Sequence, residues 1–394
     1  MISLVIPTYE EAEVIETVLQ RAAAALGASG EDFELIVVDD SPGDATAERA
    51  QSLASLLPVR VLRRRGQRGL ATAVVNGWMI ARGDILGVMD ADLQHPPEVL
   101  PGLVAALRNS DIDVAIGSRH VPGGGSRYWP ATRRAASWLT AHLAACVLPW
   151  TLAGVHDPMS GIFLVRARAL SPVELRPLGY KILLEVLGRG RWRGLAEVPY
   201  AFSPRRQGSS KLGLRQSAEY LWHLLRLARA TGQLRAWLRY AVVGLGGALI
   251  DVALSWWLVH EAGWHPAIAL PVAIELALLS NFAWNQAITF RRISGAGLPQ
   301  AQSLLGTLMR YERVCLTGAV LNFLTTIVLL ARGLGLLPSL SIGVLAGGVW
   351  NLIFNVPRIW QTWSAPLSPQ APGTHPVGRN PMGPVAEKAE LGNR

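Results

Sequence analysis

Four long apolar segments constrain the fold of this chain more than any other feature. They cover residues 239–262, 266–290, 311–331 and 336–357. Each is long enough to cross roughly 30 Å of hydrocarbon as a helix. The alternative, four buried helices of a water-soluble domain, is disfavoured because the segments are too long and too little amphipathic. We therefore predict an all-α domain of four transmembrane helices within residues 239–363.

Arginines near the ends of these segments predict their orientation. They flank the first entry, the connection between the second and third segments, and the final exit: Arg235, Arg239, Arg291, Arg292, Arg310, Arg313 and Arg358. The opposite loops hold only Arg332 close by. Because arginine-rich loops stay in the cytosol, both termini are expected there. The start of the chain, MISLVIPTYEE, is not typical of a signal peptide, so the first domain is expected in the cytosol too.

The four segments also resemble a duplicated helix pair. Residues 238–259 align with residues 309–330, and the second members align through paired asparagines ahead of an aromatic residue. Chance similarity between apolar sequences is the alternative. A parallel repeat would relate the two helix pairs by an axis along the membrane normal. The alignment makes Asp251 the counterpart of Asn322. For Asp251 and Glu275, structural hydrogen bonding and a functional role both stay open.

Short β-rich runs alternate with helical stretches over residues 1–211. The β-rich runs are Ser3–Pro7, Glu34–Asp39, Val59–Leu62, Ile85–Met89 and Val114–Gly117, and the helical stretches are Glu11–Leu26, Asp44–Leu56, Leu70–Ala81 and Glu98–Leu107. This alternation predicts a Rossmann-like α/β domain with a mainly parallel sheet. Such sheets bind ligands at the carboxyl ends of their strands, and polar motifs follow the strands of this chain. We therefore expect one cleft there.

An acidic motif follows the fourth of these strands. Asp90, Asp92 and Gln94 alternate with apolar residues, so an extended chain would point all three side chains the same way. Oxygen ligands grouped like this suit a hard divalent cation that shares its remaining sites with substrate phosphates. An acidic surface patch is the alternative. The rigid Pro96-Pro97 pair at the strand exit favours the cation site.

Two further segments complete the chain. Residues 212–238 carry leucines and aromatics at helical spacing among arginines, which is typical of a basic amphipathic helix at a membrane interface. An ordinary surface helix of the first domain is the alternative. Residues 137–152, which are too short to span a membrane, are a second candidate for such an interface helix, and a core helix is equally compatible with them. Residues 364–394 lack an apolar period and are expected to be disordered.

The excess of basic over acidic residues indicates which classes of partner the chain can bind. The chain holds 37 Lys and Arg against 28 Asp and Glu, which suits an anionic membrane face or a phosphate-bearing substrate. Nucleic acid is not an expected partner, because the aromatic residues fall mostly in apolar segments instead of among the basic runs.

Ordered motifs in the first half resemble a known family. VIPTYEE, VVDDSPGDAT, RGLATAVVNGW, DADLQHPPE, GSR, HDPMSGIFLVRARAL, GYKILLE and RRQGSSKLG occur in this order across residues 5–213. They resemble the family 2 glycosyltransferases of the dolichyl-phosphate mannosyltransferase type, and residues 239–360 resemble a GtrA-like four-helix membrane domain. The resemblance implies a GT-A fold and inverting sugar transfer from a nucleotide diphosphate sugar to a polyprenyl monophosphate.

The resemblance also implies roles for individual residues. The nucleotide sugar would contact Pro7, Tyr9, Glu11, Asp39, Asp40, Asp90, Ala91, Asp92, Arg205 and Lys211. Mg²⁺ or Mn²⁺ would bind Asp90, Asp92 and Gln94, and the acceptor phosphate would contact Arg119, Arg133 and Ser137. The candidate catalytic residues are Asp90, Asp92, Gln94 and Arg119.

Some positions depart from the family pattern or stay open. This chain has Glu10 where the family's PTYNE motif has asparagine. It has Ala45 where the family's DGT motif has a glycine, a residue that would tolerate positive φ. Glu185 is either a helix-surface carboxylate or a residue that shapes the substrate pocket. His95 and His156 are isolated imidazoles to which no catalytic role is assigned.

The chemistry of the two substrates agrees with this site. A leaving nucleotide diphosphate needs a Lewis acid, whereas the acceptor phosphate, with a second pKa of about 6, needs no strong base. GYKILLE and GSSKLG favour GDP-mannose as the donor, and hence a polyprenyl-phosphate mannosyltransferase at the cytosolic membrane face. A UDP-sugar enzyme of the glucose type and a non-enzymatic lipid-linked-sugar translocator or scaffold are the alternatives. A homo-oligomer is compatible with the sequence.

Overall fold

The computed structural model describes residues 1–43, 45–126, 129–171, 173–202, 214–289, 304–355 and 375–376. The chain divides into two compact units. The first is built mainly from Met1–Leu238 and the second mainly from Arg239–Gly348.

A mixed sheet forms the centre of the first unit. Its main strands are β1 (Ile2–Thr8), β2 (Phe33–Asp39), β3 (Val59–Arg63), β4 (Ile85–Met89), β5 (Val114–Ser118), β6 (Ile162–Arg166) and β7 (Gly194–Pro199). They lie in the order β3-β2-β1-β4-β6-β5-β7, and a two-residue strand β8 (His375–Pro376) follows β7. Strand β6 runs antiparallel between β4 and β5, and the other pairs among the seven main strands are parallel. The predicted mainly parallel α/β fold is confirmed.

Helices cover both faces of this sheet. They are α1 (Ile15–Gly27), α2 (Thr46–Ser52), α3 (Leu70–Met79), α4 (Leu100–Leu107), α5 (Ala131–Val147), α6 (Ala167–Leu170), α7 (Ile182–Arg189) and α8 (Leu214–Ala230). Short 3₁₀ turns at Leu53–Ser55 and Pro97–Val99 adjoin α2 and α4. All five predicted strands are present, whereas β6 and β7 were not predicted.

Alternate side chains of the strands pack into two separate hydrophobic cores, one on each face of the sheet. On one face, Leu4 of β1 is buried in a cluster that includes Leu19 of α1 and Leu103 of α4. On the other face, Val5 is buried with Trp78 of α3 and other residues of a second cluster. A sheet buried on both faces explains why its strands read as nearly continuous apolar runs. The acidic residues Asp39 and Asp90 lie where strands β2 and β4 end.

The second unit contains the four long apolar helices. They are α9 (Gln233–His260), α10 (Pro266–Trp284), α11 (Leu304–Ala331) and α12 (Leu336–Trp350), and α10 and α12 continue into π-helical turns at Asn285–Thr289 and Asn351–Asn355. Each is long and apolar enough to cross a membrane, in agreement with the four predicted spans. Helices α9 and α11 begin earlier than predicted, at Gln233 and Leu304, because the basic residues before each apolar run are helical too.

The loops that close the two helix pairs match each other. The backbone N–H of Glu261 donates to the carbonyl of Trp257 at 2.9 Å, and the N–H of Arg332 donates to the carbonyl of Val328 at 3.1 Å. A glycine at positive φ follows in each loop: Gly263 at 69° and Gly333 at 85°. The two long helices α9 and α11 each have 28 residues. These matches support a duplicated helix pair.

A polar contact joins the two halves of this repeat. Asn322 Nδ2 donates to Asp251 Oδ2 at 2.8 Å, and both side chains are buried. Ser255 Oγ donates to Asp251 Oδ1 at 3.3 Å, and Thr326 Oγ1 lies 3.5 Å from Asn322 Oδ1. Ser255 and Thr326 are themselves repeat counterparts. The contacts give Asp251 a helix-to-helix bonding role of the kind that hydrogen bonds supply inside membranes.

The symmetry of this contact yields a prediction. The exchange variant Asp251→Asn/Asn322→Asp keeps one carboxylate and one amide, so we expect its thermal midpoint in detergent to match that of the wild type. Asp251→Leu leaves the Asn322 amide without its partner and should lower the stability by about 1 kcal/mol. Thermal unfolding of the full chain measures both. An exchange variant as unstable as Asp251→Leu would contradict a pairing role.

Candidate active site

Three neighbouring parallel strands end at the same edge of the sheet. The register pairs Thr8 of β1 with Asp39 of β2, and β1 also pairs with β4, which ends just before Asp90. Thr8 Oγ1 donates to Asp39 Oδ1 at 3.0 Å, and Ser41 Oγ donates to the same oxygen at 2.6 Å. The Asp39 carboxylate is therefore buried and fixed in orientation at the strand ends.

Asp40, the next residue, holds a loop. Its two oxygens accept from Nε and a terminal nitrogen of Arg64 at 2.8 and 2.6 Å, and the Gly69 N–H donates to Oδ2 at 2.9 Å. Both charged side chains are almost fully buried. This pair fixes the loop that carries Arg68, whose guanidinium lies 4.1 Å from the centre of the Tyr9 ring. The predicted contact of Asp40 with the nucleotide stays a prediction.

The two departures from the family pattern have different consequences. Glu10 has φ of 59°, in the left-handed region where asparagine is tolerated and glutamate is not favoured. Ala45 has φ of −82°, so it needs none of the freedom of a glycine. The substitution expected to matter, at Ala45, is therefore harmless, whereas the one at Glu10 leaves local backbone strain.

The acidic motif adopts a turn instead of an extended chain. Leu93 has φ of 57°, and the Gln94 N–H donates back to Asp92 Oδ1 at 3.0 Å. The predicted extended alternation is therefore wrong: the strand ends at Met89, and burial of the Leu93 side chain accompanies the left-handed backbone. Gln94 is also buried, whereas Asp92 is partly exposed.

The oxygen atoms of this turn fit a divalent cation that is shared with a substrate. Asp90 is 29% exposed, and a Cβ added to Gly161 would lie 2.2 Å from Asp90 Oδ2, so only glycine leaves room for this carboxylate. Within the described ranges, no three His, Cys, Asp or Glu side chains group into a complete metal site. A hard cation held by two carboxylates and an amide would take its remaining oxygen ligands from water and phosphate.

His95 is buried beside this motif, so its description as an isolated imidazole was wrong. Its Nε2 lies 3.5 Å from Asp90 Oδ2, and its Nδ1 lies 2.8 Å from the hydroxyl of Tyr200. The other imidazole, His156, places Nδ1 at 2.6 Å from Glu197 and is exposed.

Arg119 forms a buried ion pair that the sequence did not reveal. Its Nε and a terminal nitrogen each donate to Asp157 at 2.7 Å, and its backbone N–H donates to the same carboxylate at 3.0 Å. Burial acts to raise the pKa of Asp157, but the hydrogen bonds and charge of Arg119 outweigh it and hold the pKa below its usual value. Asp157 therefore orients Arg119, whose predicted contact with the acceptor phosphate stays a prediction.

Two aromatic rings bring the predicted acceptor arginines together. The guanidinium of Arg119 lies 5.2 Å from the ring of Trp129 and 5.6 Å from that of Phe202. The guanidinium of Arg133 lies 4.2 and 5.6 Å from the same two rings. Ser137 follows Arg133 by one turn of α5 and is partly buried. The structure thus gathers both arginines at one aromatic platform, Trp129 and Phe202.

Lys181 is a further charged residue near this site. Its Nζ donates to the carbonyl of Met159 at 3.2 Å and lies 4.9 Å from the Tyr180 ring. Burial lowers its pKa to about 8, and the charge of Arg119 acts in the same direction. Lys181 belongs to the GYKILLE motif, so the sequence marked its segment, but the motif predicts no role for the lysine itself.

Glu185, in the same motif, is fully buried. It accepts from the Arg176 N–H at 2.7 Å and lies 2.8 Å from Nε2 of His223 on α8 and 2.6 Å from Nε of Arg189. The interpretation as a helix-surface carboxylate is therefore wrong: Glu185 ties α7 to α8. Arg205 and Lys211 lie outside the described residues.

Comparison with protein families identifies two regions. Residues 3–171 match the model of glycosyl transferase family 2, and residues 239–360 match that of the GtrA/DPMS transmembrane domain.

Two curated relatives and one solved structure are also similar to this chain. A dolichol-phosphate mannosyltransferase from Pyrococcus furiosus is 38% identical over 361 residues, covering 92% of this chain and 99% of the relative. An undecaprenyl-phosphate mannosyltransferase from Micrococcus luteus is 36% identical over 53% of this chain and 86% of its own length. A mannosyltransferase from Pyrobaculum calidifontis, solved with GDP-Man and Mn²⁺, shares 17% identity and a TM-score of 0.37 over 89% of this chain and 86% of its own.

The strained backbone at Glu10 predicts a stabilising substitution. Glu10→Asn should raise the thermal midpoint of the first unit, with a gain of up to about 1 kcal/mol, because asparagine adopts positive φ more readily. Glu10→Gln keeps the size of the side chain without this preference and should give no gain. Thermal unfolding of the full chain compares the two. Equal midpoints for the asparagine and glutamine variants would contradict the assigned strain.

The buried Arg119–Asp157 pair predicts a large loss of stability on removal of one charge. Asp157→Asn should lower the free energy of unfolding by about 3–5 kcal/mol, because it leaves Arg119 buried without a counter-charge. Glu174→Gln, which removes the same charge from an exposed pair with Arg176, should leave the urea midpoint unchanged. Because the native pKa of Asp157 is depressed, its contribution is complete above the ordinary aspartate value of 3.8 and is lost as the pH falls through the lower native value. A difference between the Asp157→Asn and wild-type proteins that persists undiminished at the acid end would contradict this assignment.

Proposed function

Because this chain belongs to the dolichol-phosphate mannosyltransferase family, we propose that it transfers mannose from GDP-mannose to a polyprenyl monophosphate, with inversion, at the cytosolic face of a membrane. It is an integral membrane glycosyltransferase. One observation carries the proposal: Asp90 contacts His95, His95 packs on Phe202 at 5.2 Å between ring centres, and Phe202 lies beside both acceptor arginines. A carboxylate suited to a metal diphosphate and a cationic pair suited to a second phosphate are thus linked through His95 and Phe202.

The donor half would be formed by the strand-end residues. Pro7, Tyr9, Glu11 and Asp39, with Asp40 and Ala91, would hold the nucleotide, and Arg205 and Lys211 would close over the diphosphate. A divalent cation, Mg²⁺ or Mn²⁺, held by Asp90, Asp92 and Gln94 would supply Lewis-acid stabilisation of the departing diphosphate. The turn at Leu93 and the space that Gly161 leaves beside Asp90 support this role.

The acceptor half would be formed by arginines. Arg119 and Arg133 would bind the polyprenyl phosphate through charge-assisted hydrogen bonds, with Ser137 as a further donor. An oxygen of that phosphate would form a bond to the anomeric carbon of mannose while the bond from this carbon to the diphosphate oxygen breaks, and one displacement inverts the configuration. The phosphate is already ionised, so no side chain need remove a proton.

Exposed apolar residues would bring this half to the lipid. Helix α5, which carries Arg133 and Ser137, exposes Trp138 and Leu139, and α8 exposes residues of the same kind: Leu221, Trp222 and Leu225. The two helices pack together, with the Tyr220 hydroxyl donating to the carbonyl of Thr140 at 2.7 Å. An apolar face beside arginines suits the membrane interface, and the arginine distribution favours cytosolic termini.

A donor assay tests the reaction. Purified full-length protein with polyprenyl phosphate, a divalent cation and labelled GDP-mannose should give an organic-extractable glycolipid. Chelation should abolish the product, and added Mg²⁺ or Mn²⁺ should restore it. If only UDP-glucose gives product, the donor is a UDP-sugar and not GDP-mannose. If neither donor gives product, a non-enzymatic translocator or scaffold is favoured.

The metal role predicts the effect of one substitution. Asp92→Ala should reduce transfer to background while the protein still inserts into membranes, because the cation loses one of its two carboxylates. The control Asp111→Ala removes an exposed aspartate that follows α4 and should keep wild-type turnover. Initial rates at saturating GDP-mannose measure both, and near-wild-type turnover of Asp92→Ala would refute the metal role.

A further inference from the structure

His95 and Tyr200 occupy positions that the reaction described above does not use. Both are buried, with 5% of their surface exposed, and they come from a turn after β4 and from the end of β7. We propose that the two residues act as positioning residues that fix the carboxylate of Asp90 for the divalent cation. The inference rests on the proposed function, because the cation is part of it.

The imidazole links the phenol to the carboxylate. Tyr200 O–H lies 2.8 Å from His95 Nδ1, and His95 Nε2 lies 3.5 Å from Asp90 Oδ2. Both ring nitrogens therefore face polar groups, one on each side. Outer groups of this kind, which orient a metal ligand through a histidine or carboxylate, are a recurrent feature of metal sites.

The proton arrangement follows from the surroundings of the phenol. Burial raises the pKa of Tyr200 far above its usual value, so the phenol keeps its proton at neutral pH. A protonated phenol can donate to Nδ1 of His95. An imidazole that accepts at Nδ1 carries its N–H on Nε2, the nitrogen that lies 3.5 Å from Asp90 Oδ2.

Packing holds the imidazole in this orientation. The ring of His95 meets the ring of Phe202 edge-on at 5.2 Å and lies 5.5 Å from the ring of Tyr200. Gly161 adjoins both side chains, because a Cβ added to it would come within 2.8 Å of His95 Nε2 as well as 2.2 Å of Asp90 Oδ2. The Asp90 backbone N–H also donates to the Gly161 carbonyl at 3.2 Å. The backbone and one carboxylate oxygen of Asp90 are thus positioned together, with the rest of the carboxylate partly exposed.

This arrangement explains residues that the reaction alone does not require. The histidine of DADLQH, the glycine of MSG and the tyrosine of VPY come from separate parts of the sequence. His95 and Gly161 lie beside one oxygen of Asp90, and Tyr200 contacts the other ring nitrogen of His95. A buried histidine could serve packing only, but packing does not require polar partners at both nitrogens.

Metal binding tests the inference directly. Mn²⁺ affinity of the full-length protein in detergent with GDP present is measured from the electron paramagnetic resonance signal of free Mn²⁺. His95→Phe should weaken Mn²⁺ binding by about 10- to 100-fold, the range found for outer partners of metal ligands. Tyr200→Phe, which removes only the hydroxyl, should weaken it in the same direction. His95→Gln keeps an N–H donor where Nε2 stood and should restore part of the affinity.

Controls separate positioning from general loss of structure. Tyr220→Phe also removes a buried tyrosine hydroxyl, one bonded to Thr140, and should leave Mn²⁺ affinity unchanged. In turnover assays, His95→Phe and Tyr200→Phe should raise the Mn²⁺ concentration for half-maximal rate while kcat at saturating Mn²⁺ stays near the wild-type value. If His95→Phe does not fold, Tyr200→Phe decides the question.

Two results would overturn the inference. Wild-type Mn²⁺ affinity in a folded Tyr200→Phe protein would show that the phenol does not position the site, and loss of affinity in Tyr220→Phe of the same size would show a general effect of buried hydroxyls. Absence of Mn²⁺ binding in the wild type, with GDP present, would instead refute the metal in the proposed function itself, and with it this inference. The first two outcomes leave the proposed transfer reaction standing.

Discussion

The parallel pairing of β1 with β2 and β4 brings three strand ends to one edge of the sheet, and the site is built on that edge. The register opposes Thr8 to Asp39 and places Asp90 just beyond β4. Both faces of the sheet are covered, and its strands are mostly apolar along their length. The candidate site residues therefore lie where the strands end. The loops that follow these strands need contacts outside the sheet to hold them in place.

Buried ion pairs supply that restraint. Asp40 with Arg64 fixes the loop beside Tyr9, and Asp157 fixes Arg119, which is predicted to contact the acceptor phosphate. Buried charge is tolerated when it is paired and hydrogen-bonded, and removal of one partner is costly. Arg64 and Arg119 are buried in such pairs, whereas Arg133 is exposed and lies over the aromatic platform of Trp129 and Phe202.

Periodicity predicted most of the architecture, because burial imposes a regular pattern on strands and spans. It missed β6 and β7, and in β7 Glu197 interrupts the apolar run. Of the site, the acidic motif was visible, but its geometry was not, since the turn depends on a left-handed Leu93. Partnerships were beyond the sequence: Tyr200 and His95 lie 105 positions apart, and Asp157 and Arg119 lie 38 apart. Only the folded chain brings such residues into contact.

The contact between Asp251 and Asn322 also bears on how the membrane unit arose. Two identical helix pairs, assembled about a two-fold axis, would set the same residue against itself at this point. Two aspartates would repel each other in hydrocarbon, whereas an aspartate facing an asparagine has both a donor and an acceptor. Fusion of the two copies into one chain allows each position to change alone. The unequal pair, bonded at 2.8 Å, is thus an arrangement that a single chain permits and that two identical helix pairs about a two-fold axis would not.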